Sequence, residues 1–253
     1  MSPHIIYPLQ GHRKTTMNRF IRFLTVMAAL LLTAHQSVAA GATPKDVVAA
    51  LEKGYRSISD LQAEITQLTT IASMNREERG AGELFLKKSS GRAMFRFNYS
   101  KPHQQIISNG TTIWYYQPDN KQVMVSSAKA LYEGGSAIAL NYLTGIGQLS
   151  SDFTAGFAHG EKDKKGNYIL ELVPRKSNPS LARLQLTVAA EAVDEYLKSG
   201  SVRDPFPILS SVVFDQSGNR IRIDFSRVRI NRGIGSDRFT FKVPAGVEVI
   251  KPN

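Results

Sequence analysis

From residue 61 onwards the sequence consists largely of short segments in which apolar and polar residues alternate, separated by turn residues. Alternation with a period of two is typical of strands that bury one face, and regularly spaced turns indicate consecutive antiparallel strands. Tight reversals are predicted at Asn109-Gly110, at Pro118-Asp119-Asn120 and over 215–219. The predicted strands cover 61–69, 82–87, 93–99, 105–108, 112–117, 122–126, 168–173, 184–188, 208–215, 220–229, 238–242 and 246–250.

About ten or eleven strands are too many for a flat sheet, which would curl or close into a barrel. A helix is predicted ahead of them over 44–58, since Thr43 can cap it and Pro44 suits its first position. Two short helices with glycine joints are predicted over 130–151. A surface helix or flexible excursion is predicted over 189–204. The expected class is therefore mainly β (α+β), in one domain over 41–253.

Residues 1–40 have the pattern of a secretory signal peptide, with four basic residues, no acidic residue and an apolar run over 23–32. Small residues predict cleavage after Ala39 or Ala40, and Met17 would give a more usual start than Met1. The apolar run is about half of the ~20 residues that span a bilayer, which favours cleavage over an anchor. Export of the protein is expected.

Removing the leader's four basic residues from the net charge of +11 leaves +7 on residues 41–253. A basic balance of this size suits nucleic acid, anionic headgroups or an acidic protein, and export argues against nucleic acid. Whether the cations form a recruiting patch or a solvated face stays open at this point.

Motifs for catalysis and metal binding are sparse. The chain has no Cys, and beyond the leader its only histidines are His103 and His159. Ser126 and Lys129 fit a Ser-x-x-Lys nucleophile pattern, but the accompanying Ser-Asp-Asn and Lys-Thr-Gly elements are missing. We therefore expect no enzyme activity, no metal and no cofactor.

Several segments taken together resemble the outer-membrane lipoprotein carrier protein family, LolA. The resemblance extends over nearly all of 44–251, and its most specific parts are a central block and the C-terminal tail. These segments are Gly82-Glu83-Leu84-Phe85-Leu86-Lys87-Lys88, Phe95-Arg96-Phe97-Asn98-Tyr99, Gln105-Ile106-Ile107-Ser108-Asn109-Gly110, Ile113-Trp114-Tyr115-Tyr116 and Phe239-Thr240-Phe241-Lys242-Val243-Pro244-Ala245-Gly246-Val247-Glu248-Val249.

The resemblance implies an unclosed antiparallel β-barrel whose mouth is covered by the N-terminal helix and a short helical lid over 131–151. It also implies a periplasmic, monomeric shuttle, which takes acylated lipoproteins from an inner-membrane ABC transporter to an outer-membrane receptor. In the family a basic residue latches the lid, and Lys88 and Arg92 compete for that role here. The segment 189–204 departs from shorter family members.

Covering an acyl chain requires an apolar cavity. Each candidate lining residue could equally fill a plain core, the usual fate of aromatic residues on strands. The alternative function is a lipid- or lipoprotein-sensing regulator of the same fold, and a hydrolase is a distant third. The candidate lining residues are Phe95, Phe97, Trp114, Tyr116, Ile138, Leu140, Leu143 and Ile146.

Overall fold

Twelve strands and three α-helices make up most of the chain that the computed structural model describes, namely Met1 and residues 41–89, 92–129, 148–178 and 180–251. The helices are α1 (Pro44–Arg56), α2 (Leu149–Asp152) and α3 (Ala190–Ser199). The strands are β1 (Asp60–Ile71), β2 (Arg76–Ser89), β3 (Arg92–Lys101), β4 (Gln104–Ser108), β5 (Thr112–Gln117), β6 (Gln122–Ser127), β7 (Phe153–Lys162), β8 (Tyr168–Pro174), β9 (Arg183–Val188), β10 (Ile208–Phe214), β11 (Arg220–Ile230) and β12 (Glu248–Ile250). Short 3₁₀ turns occur at Ala72–Met74 and Ser236–Phe239.

All twelve strands belong to one sheet, in the order β12-β6-β5-β4-β3-β2-β1-β11-β10-β9-β8-β7. Every neighbouring pair is antiparallel except β12 and β6, which are parallel. The two outermost strands, β12 and β7, do not pair with each other, so the sheet stays open. This confirms the expected fold, an unclosed antiparallel barrel with an N-terminal helix.

Two of the sequence predictions about strands were wrong. β7 was not predicted, because Gly156 and Gly160 interrupt its alternation. Residues 238–242 form no strand: their alternating Phe239 and Phe241 pack on the outer face of the sheet instead of joining it. For 238–242, the packing of these two rings on the sheet, and not a period of two, determines the backbone.

Helix α1 begins at a capping box. The Thr43 hydroxyl accepts the backbone N–H of Asp46, and the Asp46 carboxylate accepts the backbone N–H of Thr43 at 2.9 Å. The Asp46 carboxylate also accepts the Thr43 hydroxyl at 2.6 Å, and this hydrogen bond and the one from the Thr43 backbone N–H lower the pKa of Asp46. Val47 and Leu51 recur at helical spacing and are fully buried, so the helix lies with its apolar face on the sheet.

Alternation along the strands gives the sheet two distinct faces. The inner face carries the main core, to which β1, β2, β3, β8, β9 and β11 contribute together with α1 and α3. The outer face near β2 and β3 is covered by residues 234–239, whose Phe239 packs on Phe85 and Met94 in a second, smaller core. Within the described residues, no helix combines the length and the apolar character needed to cross a membrane.

Candidate functional site: the inner face of the sheet

The inner face is an almost continuous apolar surface. Leu61, Leu84 and Phe95 lie on neighbouring strands of one half of the sheet, and Leu170 and Leu184 lie on neighbouring strands of the other half. All five are at most 1% exposed. The long apolar face of the sheet is thus joined into one core with α1, and polar groups are rare in it.

Two of the predicted lining residues, Phe95 and Phe97, lie on this inner face. They follow each other on β3 with ring centroids 6.0 Å apart, and Tyr99 continues the row, stacked on Phe97. The Tyr99 hydroxyl donates a 2.6 Å hydrogen bond to Gln67, and burial raises the pKa of Tyr99 to about 12. The three rings form an aromatic row along one wall of the interior.

The structure does not bring Trp114 and Tyr116 to the same wall. Through the strand register Trp114 faces outward with Ile107 and Arg96, while its neighbour Ile113 belongs to the inner core. Both Trp114 and Tyr116 contact Phe241 on the outer face, at ring distances of 6.2 and 5.1 Å. The sequence shows which residues alternate along β5. Which of them share a face with Phe95 and Phe97 depends on the strand register, which the sequence does not show.

The other four predicted lining residues, Ile138, Leu140, Leu143 and Ile146, lie in 130–147, outside the described residues. The side chain of Arg92 is likewise outside them. Lys88 is described: its ammonium donates to the backbone carbonyl of Tyr55, and its own backbone N–H donates to Ser59 at 2.9 Å. Partial burial lowers the pKa of Lys88. This lysine therefore binds the last turn of α1 at the end of the inner face.

Sequence reasoning did not single out Tyr55, which lies in the same place. Its hydroxyl is buried, and within the described part of the chain it has no hydrogen-bond partner. Burial raises the pKa of this phenol well above its ordinary value. The ring packs edge-on against Phe206, which packs edge-on against Phe225. A tyrosine at an apolar helical position gives no sequence signal that distinguishes it from ordinary core.

Helix α3, within the segment 189–204, packs against α1. Lys53 of α1 donates to the carbonyl of Gly200 and lies 5.8 Å from the ring of Tyr196. Val193 is fully buried in the main core. The segment is thus a helix that adds to the covering of the inner face.

Part of the apolar inner surface keeps some exposure. Ile106, Phe157, Val213 and Ile223 are only partly buried although they pack against the core. In the described part of the chain no group of three or more His, Cys, Asp or Glu side chains is placed to hold a metal. What this face offers is therefore contact with apolar groups, with few polar atoms to orient them.

An open antiparallel sheet with an apolar inner face and helices packed into it defines the class of open β-barrels with a covered interior. The family model "Outer membrane lipoprotein carrier protein LolA" matches residues 56–242. The chain therefore belongs to the outer-membrane lipoprotein carrier family.

Individual relatives agree with this assignment. The outer-membrane lipoprotein carrier protein of Pseudomonas paraeruginosa is 29% identical over 235 residues, which are 92% of this chain and 99% of the relative. The protein of the same description from Pseudomonas aeruginosa UCBPP-PA14 is 30% identical over 193 residues, 76% of this chain and 81% of its own.

Solved structures with low sequence identity align with most of the chain. A LolA superfamily protein from Nitrosomonas europaea gives a TM-score of 0.41 at 13% identity, over 79% of this chain and 99% of that one. An uncharacterized conserved protein from Thermus thermophilus gives 0.46 at 14% identity, over 82% and 98%.

Proposed function

We propose that this protein is a periplasmic chaperone that binds the acyl chains of lipoproteins at the inner face of its sheet and carries them between membranes. The observation that carries the proposal is the apolar inner face, to which most strands and the three described helices contribute. Membership of the lipoprotein carrier family supports the same cargo. In this proposal the protein transforms nothing and acts by binding alone.

The energetics of the cargo agree with such an apolar container. An acyl chain exposes roughly 15 methylenes at about 0.8 kcal/mol each, a gross cost near 12 kcal/mol in water. A carrier has to cover this surface, and a face lined by Phe95 and Phe97 with few polar atoms can do so. Partly buried Phe157 and Ile223 extend the same surface beyond the closed core.

Release requires that part of this binding free energy be offset by a rearrangement of the protein. We propose that residues 131–151 form the movable cover and that Lys88 or Arg92 latches it. The bond from Lys88 to the Tyr55 carbonyl supports a role at this end of the interior, because the same lysine is anchored on α1. The glycines at 134, 135, 145 and 147 are the proposed hinges.

The proposed partners follow from the cargo. The protein would receive acylated lipoproteins from an inner-membrane ABC transporter, deliver them to an outer-membrane receptor, and act as a monomer. Neither hand-over requires a cofactor or a nucleic acid in this proposal.

The test is retention of acylated cargo by the protein purified from the periplasm. Leu143→Arg places a charge in the proposed cover and should abolish co-purification of acylated lipoproteins, because burying an unpaired charge against acyl chains is costly. Leu209→Arg is the matched control: Leu209 is 40% exposed on β10, so cargo should be retained. Far-UV circular dichroism checks that both variants fold.

If Leu143→Arg retains cargo at the level of the unchanged protein, the proposed cover is wrong. A protein that contains no acylated cargo but binds a signalling ectodomain tightly would instead support the regulator of the same fold.

A further inference from the structure

The arginines of the described residues fall into two groups by their partners. Seven of them lie within 4.0 Å of a carboxylate. These seven are Arg76, Arg79, Arg183, Arg203, Arg220, Arg222 and Arg227. The other six arginine side chains of the described residues have no carboxylate within this distance, and four of these six lie in one region.

Arg96, Arg229 and Arg238 lie on the same outer face of the sheet. Strand pairing aligns Arg229, Gln62, Phe85 and Arg96 in one row across β11, β1, β2 and β3. At a strand spacing of about 4.8 Å, Arg229 and Arg96 are about 14 Å apart along this row. The guanidinium of Arg238 lies 4.4 Å from the ring centroid of Phe85, between the two.

Two further cations extend this row towards the end of the sheet. Lys87 lies two residues beyond Phe85 on the same face and donates to the carbonyl of Ile234. Arg232 follows β11, and its backbone N–H donates to Asp60, the register partner of Lys87. We call Lys87, Arg96, Arg229, Arg232 and Arg238 the outer basic patch.

Fewer negative than positive charges face the outer basic patch. The Asp60 carboxylate is 5% exposed and accepts backbone N–H groups of Arg232 and Gly233, at 2.8 and 3.0 Å. Asp237 is exposed on the 3₁₀ turn. Glu83 lies two residues before Phe85 on the same face of β2 and accepts a 3.4 Å hydrogen bond from Gln62. Five cations thus face three carboxylates, one of which is buried and bonded to backbone.

Arg96 shows how the patch lacks counterions. Its guanidinium donates to the neutral oxygens of Asn98, Gln105 and the Arg238 backbone, at 2.8, 3.0 and 3.1 Å. Burial, and after it the charge of Arg238, lower the pKa of Arg96. Two guanidinium groups therefore lie close together where an anion would relieve their repulsion.

Aromatic and apolar side chains border the outer basic patch. Trp114 lies on the Arg96 row two strands further along, and it is half-buried with Tyr116 and Phe241. Val243, shortly after Phe241, is 42% exposed. Tryptophan and tyrosine beside basic residues are typical of surfaces at the headgroup level of a bilayer.

We propose that the outer basic patch docks this protein on a bilayer surface rich in anionic phospholipid. Most of its cations are exposed and spread over three strands and a loop, which suits a diffuse negative surface better than a single shaped site. The aromatic border provides side chains that partition into the interface. The inference is independent of the acyl-chain function, since the patch lies on the opposite face of the sheet.

The chain contains one tryptophan, so Trp114 is a built-in reporter. The periplasmic protein is mixed with vesicles of phosphatidylcholine alone or with phosphatidylglycerol added. Co-sedimentation and Trp114 emission are then measured at low and high salt. We expect binding and a shift of emission to shorter wavelength only with the anionic vesicles, weakened by salt as screening increases.

Charge reversal locates the binding surface. The double variant Arg229→Glu/Arg238→Glu should weaken partitioning at least about tenfold, since each cation near the surface contributes about 1 kcal/mol. Both side chains are exposed, so folding should be preserved. Arg76→Glu/Arg79→Glu changes the net charge equally at exposed positions around the start of β2 and should leave partitioning within about twofold.

Three results would overturn the proposal: equal binding to neutral vesicles, equal loss in both double variants, or no loss in either. Polyglutamate serves as an acidic polypeptide probe. Binding to polyglutamate without binding to anionic vesicles would also overturn it, and would assign the patch to an acidic protein partner.

Discussion

Tyr55 and Tyr99 both place a phenol in the apolar interior, and they differ only in whether the hydroxyl has a partner. Tyr99 donates to Gln67, whereas the buried hydroxyl of Tyr55 has no partner in the described part of the chain. A buried donor without a partner loses its hydration and gains nothing in return. The unpaired hydroxyl of Tyr55 therefore offsets part of the free energy of unfolding that packing of its ring contributes.

This difference predicts opposite effects of the same substitution. Tyr55→Phe removes the unpaired hydroxyl and should raise the free energy of unfolding by about 1 kcal/mol. Tyr99→Phe removes a hydrogen-bonded hydroxyl and should lower it by about 1 kcal/mol. Urea unfolding of both variants measures the two changes against the unchanged protein. A loss of stability in Tyr55→Phe would show that its hydroxyl has a partner in solution.

At the level of elements, local patterns predicted most of the fold. The helix over 44–58 and the strand over 112–117 match α1 and β5, because capping, period and turn residues all agree there. The predictions for β7 and for residues 238–242 were wrong. An edge strand such as β7 tolerates glycine, and an alternating segment such as 238–242 can pack on a sheet without joining it. The site was only half predictable: Phe95 and Phe97 were placed together, while Trp114 and Tyr116 depended on strand register.

The contact of α1 with the chain before β10 gives a prediction at this scale. A Cβ on Gly54 would lie 2.6 Å from the carbonyl oxygen of Pro205 and 3.0 Å from its Cα. Gly54→Ala favours the helix by about 1 kcal/mol, but displacing this backbone should outweigh the gain and lower stability by about 1 to 3 kcal/mol.

Gly156→Ala is the matched control for Gly54→Ala, because a Cβ on Gly156 would meet nothing within 4 Å. Thermal unfolding measures both variants, and the effect of Gly156→Ala should stay within about 0.5 kcal/mol. Equal effects in the two variants would mean that α1 does not lie as close to Pro205 in solution.

For the molecule as a whole, the two faces of one sheet separate two kinds of chemistry. The inner face, with α1 and α3, concentrates apolar side chains, and the outer face carries unpaired cations beside Trp114. The sequence gives the total charge but not its distribution over the surface. Seven arginines are neutralised by nearby carboxylates, and only the folded structure shows which seven they are. Part of the basic excess is thus gathered on one surface.

The inner face predicts how cargo changes the stability of the whole molecule, on the proposed acyl-carrier function. A ligand that binds only the folded state at 100 times its dissociation constant adds about 2.7 kcal/mol, or about 5 to 11 °C in Tm for a chain of this size. A synthetic acylated peptide, kept below its micelle concentration, should therefore raise Tm in a saturable way. Its unacylated parent should not, because the acyl chains supply the apolar surface. Equal shifts from both peptides, or none from either, would contradict binding of acyl chains at this face.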